Sequence, residues 1–167
     1  MLLDLIAADF FTRQHRIKGQ VSTGSRRLTD FLNDELHSLL ELAEVEVARV
    51  AEPEKVIFTY PSAVLMKEAI VFAMVEEKGD RGESRIFRYV EKRPYEVILT
   101  LPPYEISGVL HLRGTGDLRT LLVREVGHFV PMTQVQIVYT PFPAIKFSAE
   151  VAIVHKNLLE VVGERGP

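Results

Sequence analysis

The chain of 167 residues contains no cysteine. That absence excludes disulfide bonds, thiolate zinc sites, iron–sulfur ligation and a cysteine nucleophile. An excess of positive charge is missing as well, because 20 Lys and Arg stand against 23 Asp and Glu, a formal net charge of −3. No global field therefore favours nucleic acid or an anionic membrane. We expect no DNA partner, and any RNA binding would need a local basic patch.

Long apolar segments are also absent. Residues 126–145 form the longest stretch without Asp, Glu, Lys or Arg, and they include three prolines and two glutamines. Such a stretch could not satisfy its backbone as a membrane helix. The N-terminus reads MLLDLIAADFF, which carries Asp4 and Asp9 and lacks the basic region of a signal peptide. We therefore expect a cytoplasmic protein without a membrane partner.

An internal repeat is the clearest feature that is present. RIKGQV at 16–21 matches EISGVL at 105–110, which places Gly19 on Gly108 at an offset of 89 residues. The further matches, at offsets of 89 or 90, are Leu28 with Leu118, Leu32 with Leu122, Glu35 with Glu125, Val45 with Val135, Val56 with Ile145, Phe58 with Phe147 and Lys67 with Lys156. We interpret this pattern as an internal duplication. A glycine inside a strand marks a bulge, a bend or a close approach, and we expect a bend at both glycines.

The repeat divides the chain into two units. The first unit is expected at 1–78 and the second at 94–167. The residues between them, 79–93, are charged and contain glycine, which is typical of an exposed connector.

Each unit has the same predicted order of elements. In the second unit, a strand at 97–101 leads through a turn at 102–103 to a strand at 104–112. A glycine-containing loop, one helix and further strands follow, including a long strand at 147–154 and a last short strand at 158–162. The residues predicted to form the apolar stripe of each helix are Leu28, Phe31, Leu32 and Leu36 in the first unit and Leu118, Leu121, Leu122 and Val126 in the second. Short strands, frequent turns and one helix per unit indicate a mainly β fold of two tandem small barrels.

The two ends of each unit resemble the Sm-like family of small SH3-like barrels, including its bacterial RNA-chaperone branch. In the second unit these ends are YEVILTLPPYEISGVLHL at 95–112 and AIVHKNLLEVV at 152–162; in the first they are RIKGQV and VLMKEAIVFAMV at 64–75. The predicted helix stands where the family has only a loop. The first unit also resembles small uncharacterised bacterial domains with the pattern I-x-G…RL-x-D-x-LN. It matches that pattern at Ile17, Gly19, Arg27, Leu28, Asp30, Leu32 and Asn33, whereas the second unit lacks the Asp and the Asn.

The resemblance implies a candidate ligand site at the turn before the last strand. In the family this turn, with its Lys and His, lines a nucleotide pocket, and the residues at that place here are His155, Lys156 and Asn157, with Lys67 in the first unit. Glu68 beside Lys67 would repel phosphate. We therefore favour a solvated turn between two strands over an RNA site.

The loops before the two helices are the candidate anion sites. Backbone N–H groups at a helix start attract anions, and Gly24, Arg26 and Arg27 would assist in the first unit. Asp117, at the start of the second helix, is better interpreted as a cap. A single Gly-x-Gly pattern is weak evidence for phosphate binding.

No residue pattern indicates catalysis, a metal or a cofactor. The five histidines, at positions 15, 37, 111, 128 and 155, lack metal-ligand spacing, and each is expected at the surface or in a cap. What repeats between the units is mainly architecture, because several polar residues do not recur at the matched position: His155 falls on Met66 and Asn33 on Val123. No catalytic signature is present.

Three functions remain open. The first is a non-enzymatic binding or assembly module, the second a single-stranded RNA-binding protein, and the third an enzyme acting on a phosphate ligand at the strand–helix loops. In the resembling family, neighbouring subunits pair their edge strands to close a ring, so we expect a homo-oligomer, with a trimer and a dimer as the two alternatives. The expected contact residues are Leu158, Leu159, Val161 and Val162.

Overall fold

A computed structural model describes residues 5–75, 92–114, 116–125 and 127–165, and it confirms a mainly β chain. The strands are β1 (Leu5–Phe11), β2 (His15–Ser22), β3 (Leu39–Arg49), β4 (Val56–Met66), β5 (Phe72–Val75), β6 (Lys92–Leu101), β7 (Tyr104–Arg113), β8 (Phe129–Tyr139), β9 (Lys146–His155) and β10 (Val161–Glu164). Two short helices, α1 (Leu28–Leu32) and α2 (Leu118–Arg124), follow β2 and β7. Single 3₁₀ turns, Lys67–Ala69 and Lys156–Leu158, precede β5 and β10.

All ten strands belong to one antiparallel sheet, in the order β10-β6-β7-β8-β9-β5-β1-β2-β3-β4. The order within the first half, β5-β1-β2-β3-β4, is also the order within the second half, β10-β6-β7-β8-β9. A ladder between β5 and β9 joins the halves, and the sheet is open, because β4 and β10 each have one neighbour in it. Two separately closed barrels, which the sequence predicted, are therefore not observed. The expected connector at 79–93 lies outside the described residues up to position 91.

The matched glycines lie at matched irregularities in the sheet. The β2–β3 register shifts between Lys18 and Gln20, and the β7–β8 register shifts between Ser107 and Val109. A Cβ atom at Gly108 would lie 2.9 Å from the backbone oxygen of Thr133, so no larger residue fits without backbone movement. A bend was predicted at both glycines, and the structure shows a register shift there in both halves, as a β-bulge produces.

The partner strands also match at these bulges. Glu44 in β3 has a φ of 52° and Gln134 in β8 a φ of 53°. A positive φ is uncommon for a residue with a side chain. Its occurrence 90 positions apart means that the two halves make the same local departure from regular strand geometry.

Each helix packs an apolar face on the sheet, and α1 also reaches β8 of the second half. Leu28, Leu32, Leu118 and Leu121 are buried, as predicted, whereas Leu122 is only partly buried. The prediction for Leu36 is wrong: its side chain is 89% exposed, because α1 ends at Leu32, four residues earlier. Val126 lies outside the described residues. None of the helices among the described residues has the length and apolar character needed to cross a membrane.

Candidate functional site: the junction between the halves

The β5–β9 ladder forms an interface between the two halves of the chain. Phe72 lies opposite Val154, Ala73 opposite Ile153, and Met74 opposite Ala152. The main-chain N–H of His155 extends this pairing by donating to the oxygen of Val71 at 2.9 Å. These residues belong to continuous apolar segments, Phe72–Val75 in β5 and residues 151–154 in β9. Continuous apolar character suits burial on both faces of a sheet.

Side chains cross the junction in both directions. Phe129 and Ile153 of the second half belong to the apolar cluster of the first half, together with Leu32. Phe11 and Phe72 of the first half belong to the cluster of the second half, where their rings stack at 4.4 Å. The two cores therefore interlock and cannot be separated without exposing large apolar side chains.

His155 is an interior residue of this junction. Its side chain is 7% exposed, its Nδ1 atom lies 2.8 Å from the oxygen of Ile70, and its ring stacks on Phe129 at 4.5 Å. Burial lowers the pKa of His155, although the hydrogen bond to Ile70 opposes that shift. The expectation of a surface histidine in a solvated turn is therefore wrong, and the burial favours the neutral imidazole.

Asn33 links helix α1 to the second half. Its Nδ2 group donates to the oxygen of Phe129 at 2.9 Å, and its Oδ1 accepts from the N–H of Phe129 at 2.8 Å. Gly127 makes room for this pair, because a Cβ there would lie 2.7 Å from Cγ of Asn33. The side-chain amide thus pairs with the first residue of β8 as the backbone of a neighbouring strand would. The sequence marked Asn33 as a motif residue but assigned it no role. The sign of a special role was that the second unit has no asparagine at the matched position.

The matched lysines have matched contacts. Nζ of Lys67 donates to the oxygens of Phe31 and Asp34 at 2.8 and 3.0 Å, and Nζ of Lys156 donates to the oxygen of Glu125 at 2.6 Å. These acceptors lie at the C-terminal ends of α1 and α2, where unpaired carbonyls and the helix dipole favour a cation. Burial lowers the pKa of Lys67, and the charge of Asp34 opposes that shift. Both lysines, which were candidate RNA contacts in turns expected to be solvated, therefore serve as helix caps in this structure.

In the candidate anion loop of the first half, the two arginines form ion pairs with nearby carboxylates. Arg26 contacts Asp34 at 3.1 Å, and Arg27 contacts Asp30 at 2.8 Å. Gly24 has a φ of 59°, which the turn before α1 requires. In the second half, Asp117 accepts from the N–H of Thr120 at 2.8 Å. The predicted cap is thus confirmed, and these hydrogen bonds lower the pKa of Asp117.

The three residues of the candidate turn in the second half, His155, Lys156 and Asn157, do not converge on one point. His155 contacts Ile70, Lys156 contacts Glu125, and Asn157, which is exposed, contacts His128 through its amide.

A cleft of about 360 Å³ lies beside the junction, lined by the β1–β2 turn at 12–15 with Glu68, Ala69, Val71 and Leu158. Within the described ranges, no group of three or more His, Asp or Glu side chains is arranged to hold a metal ion. Comparison with protein families, with curated proteins and with solved structures finds no match for this chain.

The positions that form the junction recur at the two outer edges of the sheet. Ile153 and His155 on β9 correspond, 89 residues earlier, to Val64 and Met66 on β4, and Phe72 on β5 corresponds to Val161 on β10. At the junction, Ile153 and Phe72 are 0% exposed and His155 is 7% exposed. At the outer edges, Val64, Val161 and Met66 are 60%, 55% and 49% exposed. The outer edges therefore present apolar side chains where the junction buries its own. The last strand begins at Val161 and not at Leu158 as predicted, because Leu158 belongs to the preceding turn.

Proposed function

We propose that this protein is a non-enzymatic assembly module of two tandem Sm-like units, and that its outer edge strands pair with those of other copies of the chain. The two halves share their element order, their bulge glycines and their lysine caps. These shared features support an internal duplication. They also make each half a complete unit with one edge like β5 and one edge like β9.

The β5–β9 ladder is the observation that carries this proposal. It places the last strand of one unit against the fourth strand of the other. The same relation between chains pairs β10 of one chain with β4 of the next. The expected register sets Val161 opposite Leu65, Val162 opposite Val64 and Gly163 opposite Ala63, by the offset of 89 residues.

Both outer edges suit such pairing. An edge strand has free N–H and C=O groups, and proteins cover or disrupt an edge that is not paired. Apolar side chains occupy Val64, Met66 and Val161. Proline is absent from β10, and the proline of β4, Pro61, precedes residues 63–65, which the expected register pairs with β10. The contact is head-to-tail, so repeated addition closes a ring or forms a filament. We favour a closed homo-oligomer, a trimer with six units or a dimer with four.

RNA binding has less support than assembly. The Nζ groups of Lys67 and Lys156 donate to main-chain oxygens, and Arg26 and Arg27 contact Asp34 and Asp30. Phosphate would have to compete with these contacts. The third alternative, an enzyme at the strand–helix loops, meets the same obstacle.

Proline substitution in β10 tests the main-chain ladder. The N–H of His155 donates to the oxygen of Val71, so the next pair, Phe72 opposite Val154, is a non-hydrogen-bonded pair. Because hydrogen-bonded and non-hydrogen-bonded pairs alternate along an antiparallel ladder, the N–H of Ala73 points toward β9. Val162, the counterpart of Ala73, therefore directs its N–H to the free edge. Val162→Pro removes that donor and should convert the oligomer to monomer in size exclusion with light scattering.

Val162→Ala is the matched control. It places the residue of the inner junction, Ala73, at this position and keeps the main-chain N–H. It should keep the oligomeric mass of the unmodified protein. A strict monomer for the unmodified protein across micromolar concentrations would overturn the proposal, and so would an unchanged oligomer for Val162→Pro.

A further inference from the structure

The partly buried apolar residues of the second half form a face that lacks its cover. Leu122, Leu159 and Val162 pack against the second core and are each partly buried; we call these three residues the receiving face. Their counterparts in the first half, Leu32, Ile70 and Ala73, are 2%, 0% and 0% exposed. The same positions are therefore closed in one half and open in the other.

Two side chains from the opposite half account for this difference. Phe129 and Ile153 share one buried cluster with Leu32, Ile70 and Ala73. They are 4% and 0% exposed and come from the start of β8 and the end of β9. Across the junction they supply the cover that the receiving face lacks.

The residues that correspond to this cover lie exposed on the first half. Leu39, 90 residues before Phe129, begins β3 and is 37% exposed; Val64, 89 residues before Ile153, is 60% exposed. Both are aliphatic. Met66 beside them replaces His155, so no buried imidazole requires a hydrogen-bond partner at this place.

We infer that Leu39 and Val64 of one chain pack on the receiving face of the next chain. This inference rests on the proposed pairing of β10 with β4, and it adds the side chains that select the partner. The occupant is a second copy of this chain because the junction within the chain already contains the same contact between corresponding positions. Helix α2 would take part through Val123, which is 82% exposed and corresponds to Asn33, the residue that contacts Phe129.

A gain of affinity gives the sharpest test. Val64→Ile and Leu39→Phe reproduce the residues of the inner junction, Ile153 and Phe129. One added buried methylene should tighten association about fourfold, from the usual apolar transfer free energy, and Leu39→Phe should add to that. Val64→Lys should instead weaken association at least tenfold, because a charge would enter an apolar contact.

Leu36→Phe is the matched control for Leu39→Phe. Leu36 is 89% exposed and lies three residues upstream, outside the inferred contact, so the same substitution there should leave the dissociation constant unchanged. Dissociation is measured by light scattering over a dilution series. Tighter association of Val64→Ile and Leu39→Phe, but not of Leu36→Phe, supports the inference.

The two proposals fail in different ways. If the unmodified protein assembles and Val162→Pro separates it, while changes at Leu39 and Val64 have no effect, the strand pairing stands and the receiving face is rejected. If the unmodified protein never assembles, both are rejected. Equal tightening by Leu36→Phe would also overturn the inference, since it would indicate non-specific apolar adhesion.

Discussion

The two halves of this molecule have the same strand order but different chemistry at the positions that form the junction. Within the chain, Asn33 pairs with the backbone of Phe129, and His155 contacts the oxygen of Ile70. At the outer edges, the corresponding positions hold Val123 and Met66. Polar contacts that need exact placement are thus found where covalent linkage keeps the partners together. Apolar residues, which tolerate small adjustments, are found where the partner would come from solution in the proposed assembly.

Helix packing should show the largest difference between the halves. Leu32→Ala should lower the free energy of unfolding by roughly 2–5 kcal/mol, because Leu32 is 2% exposed and the substitution leaves a cavity. Leu122→Ala should cost less in the monomer, where Leu122 is only partly buried. Denaturant unfolding of both variants measures the gap. A gap that narrows in the assembled protein would indicate that the receiving face becomes covered, whereas equal costs in the monomer would contradict the comparison.

The amide link comes next in expected size. Asn33→Val places in the first half the residue found at the matched position of the second half, Val123. The substitution leaves the N–H and C=O of Phe129 without the partners that Asn33 supplies. Unsatisfied buried groups should lower the free energy of unfolding by about 2–4 kcal/mol. The reverse change, Val123→Asn, should leave monomer stability unchanged within about 0.5 kcal/mol, as for an exposed position. A loss below 0.5 kcal/mol for Asn33→Val in chemical unfolding would show that water replaces the amide.

The smallest effect concerns pH. Burial lowers the pKa of His155 below the ordinary value of 6.5, so the unfolded chain binds the proton more readily than the folded chain. Stability is therefore fully present above pH 6.5 and falls as pH drops from 6.5 toward the lower folded pKa, by at most about 1.4 kcal/mol per pH unit. His128 and Glu68 are the titratable groups that act on it.

His155→Met, which copies Met66, should flatten this dependence in unfolding experiments at a series of pH values. His37→Met is the control, because it makes the same substitution at a histidine whose side chain is 67% exposed. An equally steep pH dependence in His155→Met would assign the titration to another group.

The repeat made several features of the fold predictable. Matching Gly19 to Gly108 located both register shifts, and matching Lys67 to Lys156 paired two residues whose Nζ groups both donate to main-chain oxygens near the end of a helix. Periodicity located the strands and the helices. These features depend on local backbone geometry, which the sequence of one half already specifies.

Burial at the junction was not predictable in the same way. His155 reads as a residue of a polar turn, and only the approach of β5 and Phe129 makes it interior. Leu36 has helical spacing, but α1 ends before it. The clue for the junction was the difference between matched positions, with Asn33 against Val123 and His155 against Met66, because an apolar residue in place of a polar one indicates a different neighbour.

The covalent connection of the halves also sets the order in which contacts are lost on dilution. The β5–β9 ladder is intramolecular, so its strands meet at an effective concentration that does not depend on how much protein is present. Pairing of β10 with β4 would have no such advantage and would follow mass action. If the proposed assembly forms, dilution would therefore release whole chains with the inner ladder intact and never single halves, and the exchanging subunit would be a preformed pair.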